Sequence, residues 1–283
     1  MNTLEITQPL VSIDWLSKHL NHPNLIVLDT TIPKIASQKA EQYSGLGIKN
    51  ARFFDIKKTF SNINTEIPNM LPSTEQFVKG CMSLGISNHH TIVVYDTLGI
   101  YSSPRVWWMF KIMGHHNIAV LDGGFPAWKK ADLPSEPINT NKKTYNIENF
   151  DAEMNHELVI DASSLINQID NKNSLILDAR SPGRFNALEP EPRASLTGGH
   201  IPNSINLHYM QLLDNGKMLP IPELKQIFNK LKIKDTKLIF TCGSGITACI
   251  LMLGAALAGY HNVSVYDGSW SEWGQLDGVP IDC

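Results

Sequence analysis

Short apolar runs that end in Asp or Cys recur along the chain: LIVLD at 25–29, TIVVYD at 91–96, IAVLD at 118–122, SLILD at 174–178, KLIFTC at 237–242 and VSVYD at 263–267. These runs are nearly continuous rather than alternating, as expected of strands buried on both faces. The pattern predicts strands over 25–29, 51–54, 91–95 and 118–121, and again over 174–178, 204–207, 237–241 and 263–266. Between them, TEQFVKGCMSL (74–84) and PELKQIFNKL (222–231) place apolar residues three and four apart, the spacing of an amphipathic helix. ACILMLGAALAG (248–259) reads as an apolar helix pattern. Strands alternating with helices in this way argue for an α/β architecture with a parallel sheet covered on both faces.

The pattern occurs twice. Asp29 and Asp178 close matching runs 149 residues apart, and GHHNIAVLDGGFPAW (114–128) matches GYHNVSVYDGSWSEW (259–273) at an offset of 145. The order of features is the same in both halves, so the chain reads as a duplicated supersecondary plan. Its 283 residues suit two domains of ordinary size. The expected division is a domain over 1–135, a Pro-, Asn- and Lys-containing linker over 136–155 and a second domain over 156–283.

Composition narrows the partners. With 24 Lys and Arg against 27 Asp and Glu, the net charge is −3, which leaves no basic field for nucleic acid or an acidic membrane surface. The longest mostly apolar stretch, 248–260, is short of the roughly 20 residues of a membrane span. Four cysteines, Cys81, Cys242, Cys249 and Cys283, are too few for a disulfide framework and form no Cys-x-x-Cys pair, so no metal is expected. The N-terminal residues carry no secretory pattern. These features together predict a cytoplasmic protein.

Chemistry concentrates at one place. Cys242-Gly243-Ser244-Gly245-Ile246-Thr247 joins the strand 237–241 to the apolar helix pattern. A Gly-rich turn there aims main-chain N–H groups and the positive end of a helix dipole at one point, a setting that stabilises a nucleophilic thiolate on its first residue. The first half has Asp96 at the aligned position and bulkier residues after it, so only the second half can carry a thiolate. One active site is expected, in the second domain.

YSSPRVWWMF (101–110), LDGGFPAW (121–128), GRFNALEPEPR (183–193), GHIPNSINL (199–207), CGSGITA (242–248) and YDGSWSEW (266–273) occur in an order that resembles the two-domain rhodanese-like sulfurtransferases over nearly the whole chain. The resemblance implies two tandem rhodanese-like α/β domains, each a mainly parallel sheet flanked by helices. It implies no cofactor and a persulfide carried by Cys242. The loop is similar to that of the members using 3-mercaptopyruvate, with Ile246 where Val is usual. In those members the arginines matching Arg184 and Arg193 grip the substrate's carboxylate and keto oxygen, a task the planar guanidinium suits. The resemblance also implies roles for Ser244 beside the reacting sulfur and Thr247 in capping or polarising the loop, and places Tyr101 on the cleft wall. Acceptors would be thioredoxin, a small thiol or cyanide.

One departure stands out. An Asp and a His proposed to join the loop serine in a proton relay correspond here to Lys57 and Asn69, neither of which titrates as Asp and His do, so no catalytic role is assigned to either. Thiosulfate as donor, and a non-catalytic binding module, stay as alternatives. A Cys-x5-Arg phosphatase is disfavoured because Ala248 stands where the Arg must be.

Overall fold

The computed structural model describes residues 4–32, 43, 45–138, 145–231 and 236–283. The chain divides into two compact units. Met1–Ile63, Leu71–Met154 and Asp214–Met218 form the first; Asn64–Met70, Asn155–Leu213 and Leu219–Cys283 form the second. Of the linker expected over 136–155, residues 139–144 lie outside the described residues. Two excursions, 64–70 and 214–218, leave the unit that precedes them in sequence and count with the other.

In chain order the first unit carries β1 (Leu10–Val11), α1 (Ile13–His19), β2 (Leu25–Asp29), β3 (Leu46–Ile48), β4 (Arg52–Phe53), α2 (Thr74–Ser83), β5 (Thr91–Tyr95), α3 (Ser103–Ile112), β6 (Ile118–Leu121), α4 (Gly124–Lys130) and β7 (Ser135–Pro137). The later elements are β8 (Val159–Ile160), α5 (Ala162–Ile166), β9 (Ser174–Asp178), α6 (Pro182–Phe185), β10 (Ile205–Asn206), β11 (Leu213–Asp214), β12 (Lys217–Met218), α7 (Ile221–Lys230), β13 (Lys237–Thr241), α8 (Ala248–Ala258), β14 (Val263–Tyr266) and α9 (Ser269–Trp273).

The main sheet of the first unit has the order β4-β2-β5-β6-β1, and that of the second has β10-β9-β13-β14-β8. Every neighbouring pair in both is parallel. The two sheets correspond strand for strand, so the duplication read from the sequence is a duplication of topology. The edge strands β1 and β8 were not anticipated, because two residues carry no periodicity. The antiparallel pair of β3 and β7 is likewise an addition to the plan.

Local chemistry sets the boundaries. Ser12, Ser73 and Asp161 cap α1, α2 and α5 by accepting main-chain N–H bonds from Trp15, Gln76 and Ser164. Helix α8 ends at Gly259 in the left-handed region, φ 95°, where a side chain is disfavoured. All five residues of β5 are buried, as are Phe240 and Thr241 at the end of β13.

Each unit has its own aromatic core. Phe54, Phe60, Phe77 and Phe110 are fully buried in the first, with Phe54 stacked on Phe60 at 3.5 Å between centroids. In the second, Tyr266, Trp270 and Trp273 pack with Ile176 and Ile239. Each such ring contributes about 2–3 kcal/mol by leaving water. The indole N–H groups reach Thr197 O from Trp270 at 2.9 Å and Pro280 O from Trp273 at 3.0 Å, so the large rings are buried without stranded donors. Arg105 is also fully buried, its guanidinium over the Trp108 ring at 4.4 Å.

Candidate active site

Strand β13 ends at Thr241, and the chain turns through residues 242–247 into α8. Parallel strand order puts this turn at the carboxyl end of the central strand, where doubly covered sheets bind ligands. Cys242 is 2% exposed. Its N–H donates to Ser269 Oγ at 3.3 Å, and its carbonyl accepts the Trp270 N–H at 2.9 Å. Ser269 Oγ also lies 4.0 Å from Cys242 Sγ and donates to Tyr266 O at 2.9 Å.

The next carbonyl is held the same way. Gly243 O accepts the Ser271 N–H at 2.8 Å and the Ser271 hydroxyl at 2.6 Å. Helix α9 thereby fixes the first two residues of the loop through Ser269, Trp270 and Ser271. Its foundation is firm: the Tyr266 hydroxyl donates to Glu272 Oε2 at 2.8 Å. Burial, then the Glu272 carboxylate beside it, pushes that phenol well above its ordinary value and keeps it a donor.

The remaining loop residues have distinct placements. Gly245 adopts φ 75°, a region that glycine enters without strain, and its carbonyl accepts from Cys249 Sγ at 3.4 Å. Ile246 is buried. Thr247 stands at the N-cap of α8, but its backbone is already helical and its side chain makes no cap hydrogen bond. The capping expected of Thr247 is therefore absent, because an N-cap side chain reaches back to the first turn from extended backbone, not from helical backbone.

Of the two expected arginines, Arg184 lies at this loop and Arg193 on Ser271 of α9. Arg184 lies against Gly243: a Cβ added there would come within 2.8 Å of a terminal nitrogen of Arg184. Glycine at 243 thus makes room for the guanidinium. Glu191 holds Arg184 through Nε and a terminal nitrogen. The same carboxylate accepts from Arg180 at 2.8 Å, and Arg180 in turn pairs with Asp178 at 2.7 Å. Asp178, Arg180 and Glu191 are almost fully buried, while the Arg184 side chain is 24% exposed. Signs alternate along the four, with the last cation turned toward the loop. Arg193 is exposed and donates to Ser271 Oγ at 3.0 Å, one side chain away from Gly243 O.

Ser244 is bound by a residue from the 64–70 excursion. Asn69 Nδ2 donates to Ser244 O at 2.9 Å and to Ser244 Oγ at 3.0 Å. Tyr101 contributes its main-chain N–H to Asp96 Oδ2 at 2.9 Å, and the Lys57 N–H bonds to Asp55 Oδ1 at 3.0 Å.

Ser269, Ser271 and Glu191 belong to motifs whose pattern was read without assigning them roles. A Ser-x-Ser pair directly after the last strand of the repeat was the available signal. The other cysteines differ in setting. Burial pushes the Cys81 thiol up, and Cys249 is fully buried in α8. Among the described residues, no group of three His, Cys, Asp or Glu side chains could hold a metal ion.

Comparison with known proteins agrees with this geometry. A profile described as "Rhodanese-like domain" matches residues 12–131 and 161–276. The chain is 37% identical to 3-mercaptopyruvate sulfurtransferase of Mus musculus, over 95% of this chain and 93% of that protein. It is 36% identical to the mitochondrial thiosulfate/3-mercaptopyruvate sulfurtransferase 1 of Arabidopsis thaliana, over 99% and 80%. The crystal structure of SseA from Escherichia coli, described as a 3-mercaptopyruvate sulfotransferase with the rhodanese fold, superposes with a TM-score of 0.81 at 32% identity, covering 94% of this chain and all of that one. With two matched domains, the repeated parallel sheets and a single cysteine loop, the chain belongs to the two-domain rhodanese-like sulfurtransferases.

Proposed function

We propose that the chain moves sulfur from 3-mercaptopyruvate to a thiol acceptor through a persulfide on Cys242. The observation that carries this reading is the placement of two arginines beside the residue after the cysteine: Arg184 lies against Gly243, and Arg193 is bound to Ser271, whose hydroxyl donates to Gly243 O. A donor with a carboxylate and a keto oxygen gives each guanidinium a partner.

In this mechanism the Cys242 thiolate attacks the donor sulfur. The Sγ–S bond forms as the S–C bond breaks, and the electron pair leaves as pyruvate enolate. The proton that began on the donor thiol ends on the methyl carbon of pyruvate, and the persulfide keeps the negative charge. Main-chain N–H groups of the loop and the N-terminus of α8 favour that charge. An acceptor thiolate then takes the outer sulfur and restores Cys242. Thioredoxin or a small thiol fits this second step, and cyanide serves in vitro.

Among the described residues, no helix is long and apolar enough to cross a membrane. All four cysteines are free, which suits a reducing compartment and supports assignment to the cytoplasm.

Intact mass tests the reading. Exposure to 3-mercaptopyruvate should leave the protein one sulfur atom heavier, and Cys242→Ser should gain nothing; an unmodified wild type defeats the proposal. Thiosulfate is the competing donor, supported by the double name of the Arabidopsis relative. Comparing kcat/KM for the two donors decides between them, with 3-mercaptopyruvate expected to be preferred.

A further inference from the structure

Asn69 is 6% exposed and adopts φ 62°, a left-handed conformation that Asn tolerates better than most residues. Its orientation follows from its partners. The Ser244 carbonyl oxygen can only accept, so the Asn69 atom 2.9 Å away is the amide nitrogen. The same nitrogen lies 3.0 Å from Ser244 Oγ and donates its other hydrogen there. A serine hydroxyl has one hydrogen, and Oγ cannot direct it at an N–H donor. Asn69 therefore fills an acceptor position of Ser244 and turns the serine O–H away from itself, while the second bond pins the main chain of the loop.

We infer that Asn69 is a positioning residue that holds Ser244 as a hydrogen-bond donor toward the keto oxygen of the departing pyruvate, and so tunes the site to 3-mercaptopyruvate. This rests on the sulfurtransferase reading above. When the S–C bond breaks, the electron pair spreads over carbon and the keto oxygen of the enolate, where a preoriented donor has most effect. Thiosulfate differs: its S–S bond breaks to release sulfite, a stable anion with no enolate oxygen to serve. An amide has no ionisation in the working range, so Asn69 orients the hydroxyl without moving a proton itself.

Two substitutions keep the backbone while changing the donor. Asn69→Asp is isosteric and tolerates the left-handed conformation, but a carboxylate only accepts, so the Ser244 O–H turns toward it. Asn69→Gly keeps the conformation and leaves the hydroxyl free to rotate. The measurement is single-turnover persulfide formation, followed by intact mass, with 3-mercaptopyruvate and with thiosulfate, alongside iodoacetamide alkylation of Cys242. With 3-mercaptopyruvate the maximal rate should fall about 100-fold in Asn69→Asp and about 10-fold in Asn69→Gly, with KM within roughly threefold of wild type. Loss of the bond to Ser244 O loosens the loop for every reaction, so the thiosulfate and alkylation rates should fall as well, but by at least about threefold less than the 3-mercaptopyruvate rate in each variant. Where thiosulfate loads too slowly to follow, alkylation is the reference. Wild-type rates in Asn69→Asp, or an equal loss in all three reactions, overturn the inference. A wild type that takes sulfur from neither donor overturns the sulfurtransferase reading instead, and this inference with it.

Discussion

Asp96 Oδ2 accepts two hydrogen bonds from Ser103, one from its main-chain N–H at 2.9 Å and one from its hydroxyl at 2.7 Å. The N–H groups of Tyr101 and Ser102 reach the same oxygen at 2.9 Å, and Leu98 N–H reaches Oδ1 at 2.9 Å. Asp96 directly follows β5 as Cys242 directly follows β13. The turn into α3 is thus still an anion cradle, but its anion is the first unit's own carboxylate. Where the second unit places Cys242 at the start of its loop, the first uses the same position for an internal tie.

That tie should be costly to break. Asp96→Asn removes the charge and sets an NH2 or a neutral oxygen against several N–H donors, so it should destabilise the first unit by about 2–4 kcal/mol. Urea unfolding measures this. A midpoint equal to wild type would mean that the cradle contributes nothing.

The first unit should also weaken in acid. His115 is 3% exposed, with Phe110 and Phe150 beside its ring, and burial, with smaller contributions from His116 and His90, pushes its pKa down to about 4. Burial pushes His90 the same way. A histidine held neutral in the fold and ionising near 6.5 once unfolded contributes stability that is present above pH 6.5 and lost as pH falls toward its folded value. Between pH 6.5 and 4, His115 alone should cost about 3 kcal/mol. His115→Phe, which cannot take up a proton, should flatten the dependence of the unfolding midpoint on pH over that window. An unchanged slope would remove His115 as the cause.

What was legible in the chain depended on how local the signal is. Strands β2, β5, β9 and β13 were readable because each is a run of apolar residues closed by a polar one. The Cys242 loop was readable because a strand, a Gly-x-Gly turn and an apolar helix adjoin in sequence. Asn69 was noticed only as a departure, since its bond to Ser244 spans 175 residues and leaves no trace in the sequence around it. Glu191 resembled any other surface carboxylate in a Pro-rich stretch, and only folding brings it between Arg180 and Arg184. Ser269 at φ 50° carried the opposite of a signal, because that conformation is one that glycine would be expected to occupy.

Arg184 and Glu191 should respond differently to removal. Arg184 is the exposed end of the charged row, so Arg184→Ala should raise the KM for 3-mercaptopyruvate about 10- to 100-fold with little loss of stability, each charge-assisted contact being worth about 1.5–3 kcal/mol. Arg193→Ala should raise KM in the same range. Glu191→Gln leaves the buried Arg180 with Asp178 as its one remaining carboxylate, and should lower stability by about 3 kcal/mol as well as raising KM. Thermal unfolding together with steady-state kinetics separates the two effects. Equal Tm values for Glu191→Gln and wild type would show that Glu191 serves substrate binding alone.

Ser269 combines strain with support for Cys242. It is fully buried at φ 50°, holds the Cys242 N–H and is anchored on Tyr266 O. Ser269→Ala removes the hydroxyl and keeps the strained backbone, whereas Ser269→Gly removes both the hydroxyl and the strain. Glycine should therefore be the more stable of the two variants by about 1 kcal/mol. If the hydroxyl positions Cys242, both should slow persulfide formation to a similar degree, since neither can receive the Cys242 N–H. Measuring the unfolding midpoint and the single-turnover rate on both proteins tests the two roles together. A rate that tracks stability, with Ser269→Gly restored to wild type, would reduce Ser269 to a strained turn residue.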